Sequence, residues 1–165
     1  MQPITRADLA RLAAEAQAAP RRRKNRNLHT RLDDPVQRLL NALEPGTYVR
    51  PHRHEAPAKW ELLTILSGRA VLLILSDDGV VQQRVELGDA TPVVEIPPAT
   101  WHTLAALEPE TVLLEVKPGP YVPTAPSDFA AWAPEEGSAA AADLECWCRD
   151  ARVGERAPRG APARL

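Results

Sequence analysis

Four side chains with metal-ligand chemistry fall in two short stretches. His52, His54 and Glu61 lie within "RPHRHEAPAKWE", residues 50–61, and His102 closes "IPPATWH". In an extended strand, residues i and i+2 project from one face, so His52 and His54 can aim both imidazoles into one space. A later antiparallel strand can bring His102 opposite them. Three neutral imidazoles suit Zn, Fe, Ni or Cu, and a carboxylate from Glu61 widens the choice towards Mn or Fe. A divalent ion (Zn, Fe, Mn or Ni) is one reading of this geometry. The competing reading is that His52 and His54 are exposed polar residues at a strand end, because a two-residue motif is weak evidence by itself.

Other residues bear on chemistry through their parity. Glu115 and Lys117 alternate with Val116 in "TVLLEVK". Either this carboxylate and ammonium face the interior as a pair, or they face solvent while Val112, Leu114 and Val116 fill the core. Glu61, Glu115 and Lys117 are the candidate catalytic groups. Tyr48 and Arg50 share the parity of His52, and an arginine there would make a fork for a carboxylate or phosphate. Arg38, Lys24 and His29 are further candidates for substrate binding. Trp60 and Trp101 each precede a candidate ligand, so they are expected to point away from it and pack in the core.

The elements that must position these groups are short and β-rich. Between Val36 and Lys117, about eight runs with strand character are punctuated by Gly, Pro and Asp, with no helical crossover between them. That pattern predicts an all-β, antiparallel barrel or two-sheet fold. Before it, "TRADLARLAAEAQA" reads as an amphipathic flanking helix with Thr5 as N-cap, Asp8 in the first turn, Leu9 and Leu12 on one face and Pro20 as the stop. The basic run "RRRKNRNLH", residues 21–29, is either a solvated linker or an anion-binding arm. The expected organisation is a helix and arm over 1–30, a barrel over 31–120, a proline-rich strap and closing helix over 121–148, and a disordered tail over 149–165.

The chain has 165 residues and a formal charge of −2. It offers no apolar stretch of membrane-spanning length and no basic n-region followed by an apolar h-region, so the cytoplasm is the default expectation. Cys146 and Cys148, in "CWC", point apart on a helix and are expected to be bystanders. Nucleic acid is discounted, because the charge is slightly negative and no aromatic stacking platform accompanies the basic arm.

The spacing Gly46, five residues, His52, one residue, His54, then Glu61, six residues and Gly68 resembles the first motif of the cupin superfamily, and "IPPATWH" resembles the second. Two departures stand out. Six residues separate His54 from Glu61 where three or four are usual, which leaves open whether Glu61 reaches the metal, and Ala99 stands where glycine is usual. The strings "RRRKNRNLH", "DPVQRLLNALEPGTYVRPHRH", "KWELLTILSGR", "EIPPATWHTL" and "EVKPGPY" are similar to those of the WbuC-type cupin-fold metalloproteins. That resemblance implies a jelly-roll-like β-barrel with one divalent metal, of a bacterial kind associated with surface-polysaccharide (O-antigen) biosynthesis. It implies no known reaction; the leading expectation is a metal-dependent isomerase or epimerase acting on a sugar or sugar nucleotide. An iron-dependent dioxygenase and a non-catalytic metal- or sugar-binding module are the alternatives. A homodimer through sheet edges is a further expectation.

Overall fold

The strands expected from sequence form two antiparallel sheets whose inner faces enclose the histidines. The computed structural model describes residues 3–158. In chain order the elements are α1 (Arg6–Ala18), β1 (Arg23–Asn27), β2 (Val36–Leu43), β3 (Glu61–Ser67), β4 (Ala70–Leu75), β5 (Val81–Leu87), β6 (Val93–Ile96), β7 (His102–Ala106), β8 (Thr111–Pro118) and α2 (Ala139–Asp150). One sheet runs β1-β2-β8-β3-β6 and the other β5-β4-β7.

The second sheet is extended beyond β7 by short pairings. His52 bridges His102, and the two residues exchange both backbone hydrogen bonds, at 3.0 and 2.9 Å. On its other side His52 bridges Phe129 in the strap. The resulting orders, β2-β8-β3-β6 facing (51–53)-β7-β4-β5, are those of the jelly roll expected of a cupin.

Register decides what faces inward. Glu115 pairs with Leu39 on one side and Leu63 on the other, and Asn41 pairs with Leu113. Leu43, Leu63, Leu72, Leu87, Ile96 and Leu113 form the inner core. Val112 and Leu114 therefore face outward, under α1, where Leu9, Leu12, Ala13 and Ala16 cover them together with Leu40 and Ala42. Each leucine buried there contributes roughly 1.5–3 kcal/mol. The helix starts on a reciprocal cap, the Asp8 N–H donating to Thr5 Oγ1 (3.2 Å) and the Thr5 N–H to Asp8 Oδ2 (2.9 Å). The outer face of the second sheet is covered by α2 and the strap, with Leu144 and Cys148 packed on Val71, Leu73 and Ala105. At the β3–β4 turn Gly68 has φ +68°, and a Cβ there would meet the Thr111 backbone at 2.8 Å, so this turn requires glycine.

Three boundaries differ from the sequence reading. The basic run is not a linker, because Arg23–Asn27 pairs residue by residue with Asn27↔Leu39 through Arg23↔Leu43 of β2. It escaped notice since a strand of Arg, Lys and Asn carries no apolar alternation. The closing helix runs to Asp150, and residues 151–158 of the supposed tail are ordered: Arg156 bridges Val80, and Ala157 is buried in the cluster under α2. Residues 159–165 lie outside the described residues. No helix among the described residues is long and apolar enough to cross a membrane.

Candidate metal centre

The HxH segment is held on both sides. Besides the His52 pairings, the Arg53 N–H donates to Asp128 O and the Ala130 N–H to Pro51 O, both at 2.9 Å. Arg53, between the two histidines, turns outward over Trp101, 4.5 Å from the ring, and pairs with Glu55 and Asp128. The carbonyl of His54 accepts from the N–H groups of Lys59 (3.3 Å) and Ala99 (3.1 Å), so it ties together the turns that precede Glu61 and His102. Ala99 adopts φ +57°, the left-handed conformation that explains why glycine suits this position.

His52, His54, Glu61 and His102 come together, with one ligand atom from each lying within 4.8 Å of all the others. Ring centroids are 4.4 Å apart for His52 and His102 and 5.2 Å for His52 and His54. The six residues before Glu61 do not carry it away, because the loop folds back on itself through an Glu55↔Ala58 bridge and Glu61 opens β3 facing inward. Its two oxygens lie 3.0 Å from His54 Nε2 and 3.0 Å from His102 Nε2.

The protonation pattern tests whether this donor set fits a cation. His52 Nδ1 lies 2.9 Å from Arg50 O, and His102 Nδ1 lies 2.9 Å from Thr100 O. A carbonyl only accepts, so each Nδ1 carries the hydrogen, and each Nε2 presents a lone pair to the cluster. His54 Nε2 is buried, and its 3.0 Å approach to Glu61 lies outside hydrogen-bond geometry. Burial, reinforced by His102, pushes the His52 imidazole down to about 3, which keeps it neutral and ligand-ready. Burial alone would raise the Glu61 carboxyl, but His102, His54 and Lys117 outweigh it and hold it well below the usual carboxylate range. Three imidazole nitrogens and one carboxylate, all converging, fit a divalent transition-metal ion.

A charged chain extends from Glu61 along β8. Lys117 Nζ lies 2.8 Å from Glu61 Oε1 and 2.6 Å from Glu115 Oε1, and Asn41 Nδ2 donates to Glu115 Oε2 at 2.5 Å. Desolvation works against the Lys117 charge, yet the two carboxylates hold its ammonium above the usual lysine range. Glu115 and Lys117 therefore take the inward of their two possible orientations. Together with the histidines they line a cavity of about 200 Å³ that also touches Arg23, Asn25, Asn41 and Thr124. Sequence reasoning missed Asn41, whose signal is a polar residue in the inward register of "VQRLLNAL", and Arg23 and Asn25, whose strand went unread.

Several candidates lie elsewhere. Tyr48 is buried beneath α2 with its hydroxyl donating to Pro134 O (2.9 Å); residues 47–50 are not regular strand, so parity does not carry from His52 to Tyr48. Arg38 is on the outer face, 3.8 Å from Asp34. His29 caps the end of the β1–β2 pairing, its Nδ1 accepting from the Arg38 N–H at 3.0 Å, and is absent from the cluster. Lys24 points to the α1 side, 3.9 Å from Glu15, although it borders the wider basin outside the cavity. Trp60 is 37% exposed and so is not core, whereas Trp101 is half-buried with its Nε1–H donating to Asp77 at 2.6 Å. Cys146 and Cys148 are unpaired, as expected.

The chain is similar to several solved structures. Among them are a cupin superfamily protein from Desulfitobacterium hafniense (22% identity over 65% of this chain and 86% of that one, TM-score 0.48) and a conserved protein of unknown function from Streptococcus pyogenes (23%, 63% and 80%, TM-score 0.47). A cupin 2 domain-containing protein from Halorhodospira halophila is another (19%, 78% and 79%, TM-score 0.47). Likeness at this level leaves the chemistry to be read from the site itself. No curated protein matches the chain in sequence. The family described as "Domain of unknown function (DUF6016)" matches residues 4–87, a span that takes in α1, β1 to β5 and His52, His54 and Glu61, and the chain belongs to that family.

Proposed function

We propose that the protein binds one divalent metal through His52, His54, Glu61 and His102 and uses it to rearrange a small hydroxyl- or carbonyl-bearing substrate, of which a sugar or sugar nucleotide is the preferred class. The observation that carries this reading is the convergence of four donor atoms within 4.8 Å, two of the imidazoles being fixed in the ligating tautomer by backbone carbonyls. A divalent ion held there would polarise a substrate oxygen as a Lewis acid.

The chain's own groups supply the rest. Lys117, held charged between Glu61 and Glu115, is a hydrogen-bond donor and a stabiliser of negative charge on a substrate oxygen, not a base. Glu115, held by Lys117 and oriented by Asn41, is the cavity carboxylate assigned to take a proton from a carbon next to a carbonyl. Asn25, Asn41 and Thr124 line the cavity with amide and hydroxyl groups that match a polyhydroxylated ligand. The resemblance of the barrel motifs to WbuC-type cupins directs the search towards sugars of surface polysaccharides.

The test is incubation of metal-loaded protein with a panel of aldoses, ketoses and their nucleotide conjugates in D2O, followed by NMR. Isomerase or epimerase activity incorporates deuterium beside the carbonyl, and the signal disappears after chelation and in Glu115→Gln. Oxygen consumption by iron-loaded protein without deuterium incorporation would replace this reading with a dioxygenase. Saturable sugar binding without turnover would replace it with a binding module.

A further inference from the structure

Arg50 stands beside the metal centre as a cation that the protein does not neutralise. Its neighbours are all engaged: Arg21 and Arg23 share Glu136, at 2.7 and 2.9 Å, and Arg53 holds Glu55 and Asp128. Among the described residues no carboxylate does this for Arg50. Its Nε is buried without a hydrogen-bond partner, which leaves a desolvated N–H donor unsatisfied.

The guanidinium is nonetheless positioned. It lies 5.1 Å from the centroid of the Phe129 ring. A guanidinium held over an aromatic ring keeps its N–H fork for a planar or tetrahedral oxyanion. Phe129 also neighbours the imidazole of His52, with centroids 6.3 Å apart, so one aromatic ring touches both the cation and the metal centre. Arg50 and His52 border the same basin, of about 700 Å³, in which the lining acid is Glu136, already shared by two arginines. The basin thus carries unbalanced positive charge next to the cavity where chemistry is assigned.

We infer that Arg50 is an anion-recognition residue, and that the substrate carries a carboxylate or phosphate gripped by Arg50 across Phe129 while its hydroxyl or carbonyl end reaches the histidine cluster. The position of the reacting end rests on the metal-centre reading; the anion grip does not. In this arrangement Arg50 contacts the non-reacting part of the substrate and sets which sugars or acids enter.

The experiment uses full-length, 15N-labelled protein freed of metal by chelation and dialysis, titrated separately with inorganic phosphate and with acetate while the Arg50 Nε–H resonance is followed. Saturable displacement of that resonance is expected, with phosphate tighter than acetate if the natural ligand is a phosphate ester and the reverse if it is a carboxylate. Arg50→Gln should weaken binding about tenfold or more, Arg50→Lys should weaken it less because charge remains while the fork is lost, and the outward Arg38→Gln should leave it unchanged. No saturable displacement by either anion, or equal affinity in Arg50→Gln and wild type, overturns the inference, as does an equal loss in Arg38→Gln. If Arg50→Gln does not fold, the Arg50→Lys comparison with Arg38→Gln carries the same decision. Metal content measured on the same proteins before chelation should be equal in wild type and Arg50→Gln, so a wild type that holds no metal as purified would count against the metal centre and leave the anion titration standing.

Discussion

The inner face of the barrel has two ends built from the same strands. Where β2 finishes and β8 begins, the inward residues are Leu43 and Leu113, packed with Leu63, Leu72 and Leu87. Two to four residues further along, the same face presents Asn41, Glu115 and Lys117, opposite Glu61 and His102. The ladder β2-β8-β3 runs through both ends, with a register shift between Ile65 and Ser67 at the apolar one. The difference is side-chain chemistry, and it teaches that the apolar end holds the jelly roll together while the polar end is tolerated because its charges are paired. An unpaired charge there would be costly.

The largest effect on stability should come from the apolar end. Leu113→Ala removes a fully buried side chain and is expected to cost about 2 to 5 kcal/mol in urea denaturation, with metal stoichiometry of the folded protein unchanged. A change in metal content instead would mean that the two ends are not separable. At the polar end, Lys117→Met leaves Glu61 and Glu115 facing each other and should cost about 2 kcal/mol, less than for a fully buried pair because the ammonium is partly exposed. Converting the pair together, Lys117→Met with Glu115→Leu, should recover most of that loss and abolish deuterium incorporation. A double variant as unstable as the sum of its parts would show that Glu115 and Lys117 are not coupled. The smallest effect is expected at Ala99, where Ala99→Gly relieves a positive φ and should stabilise the protein by about 0.5 kcal/mol, read as a small rise in the denaturation midpoint.

The same contrast explains how much was legible in the sequence. Strands β2 to β8 stand out in the chain as short runs rich in leucine, isoleucine and valine, punctuated by Gly, Pro and Asp. His52, His54 and His102 stand out because histidine at strand parity is chemically conspicuous. β1 is made of Arg, Lys and Asn, so periodicity had nothing to register, although pairing with β2 brings Arg23 and Asn25 to the cavity. The orientation of Glu115 and Lys117 was undecided because Val112 and Leu114 are equally good core residues, and it is the packing of α1 on the outer face that makes them so. Tyr48 was misplaced for a different reason: parity holds only within regular strand, and the segment before Pro51 is irregular. The reach of Glu61 depended on a loop folding back on itself, a tertiary event that spacing alone does not encode.

The central claim is that the polar end is a metal centre. The most direct measurement is elemental analysis by mass spectrometry of protein purified without an affinity metal column, beside the His52→Ala, His54→Ala double variant checked for native circular dichroism. The account predicts close to one divalent transition-metal ion per chain in the wild type and its loss in the folded double variant. Equal metal content in both proteins, or a wild type that takes up no zinc, iron, manganese or nickel even when supplied in excess, would contradict it.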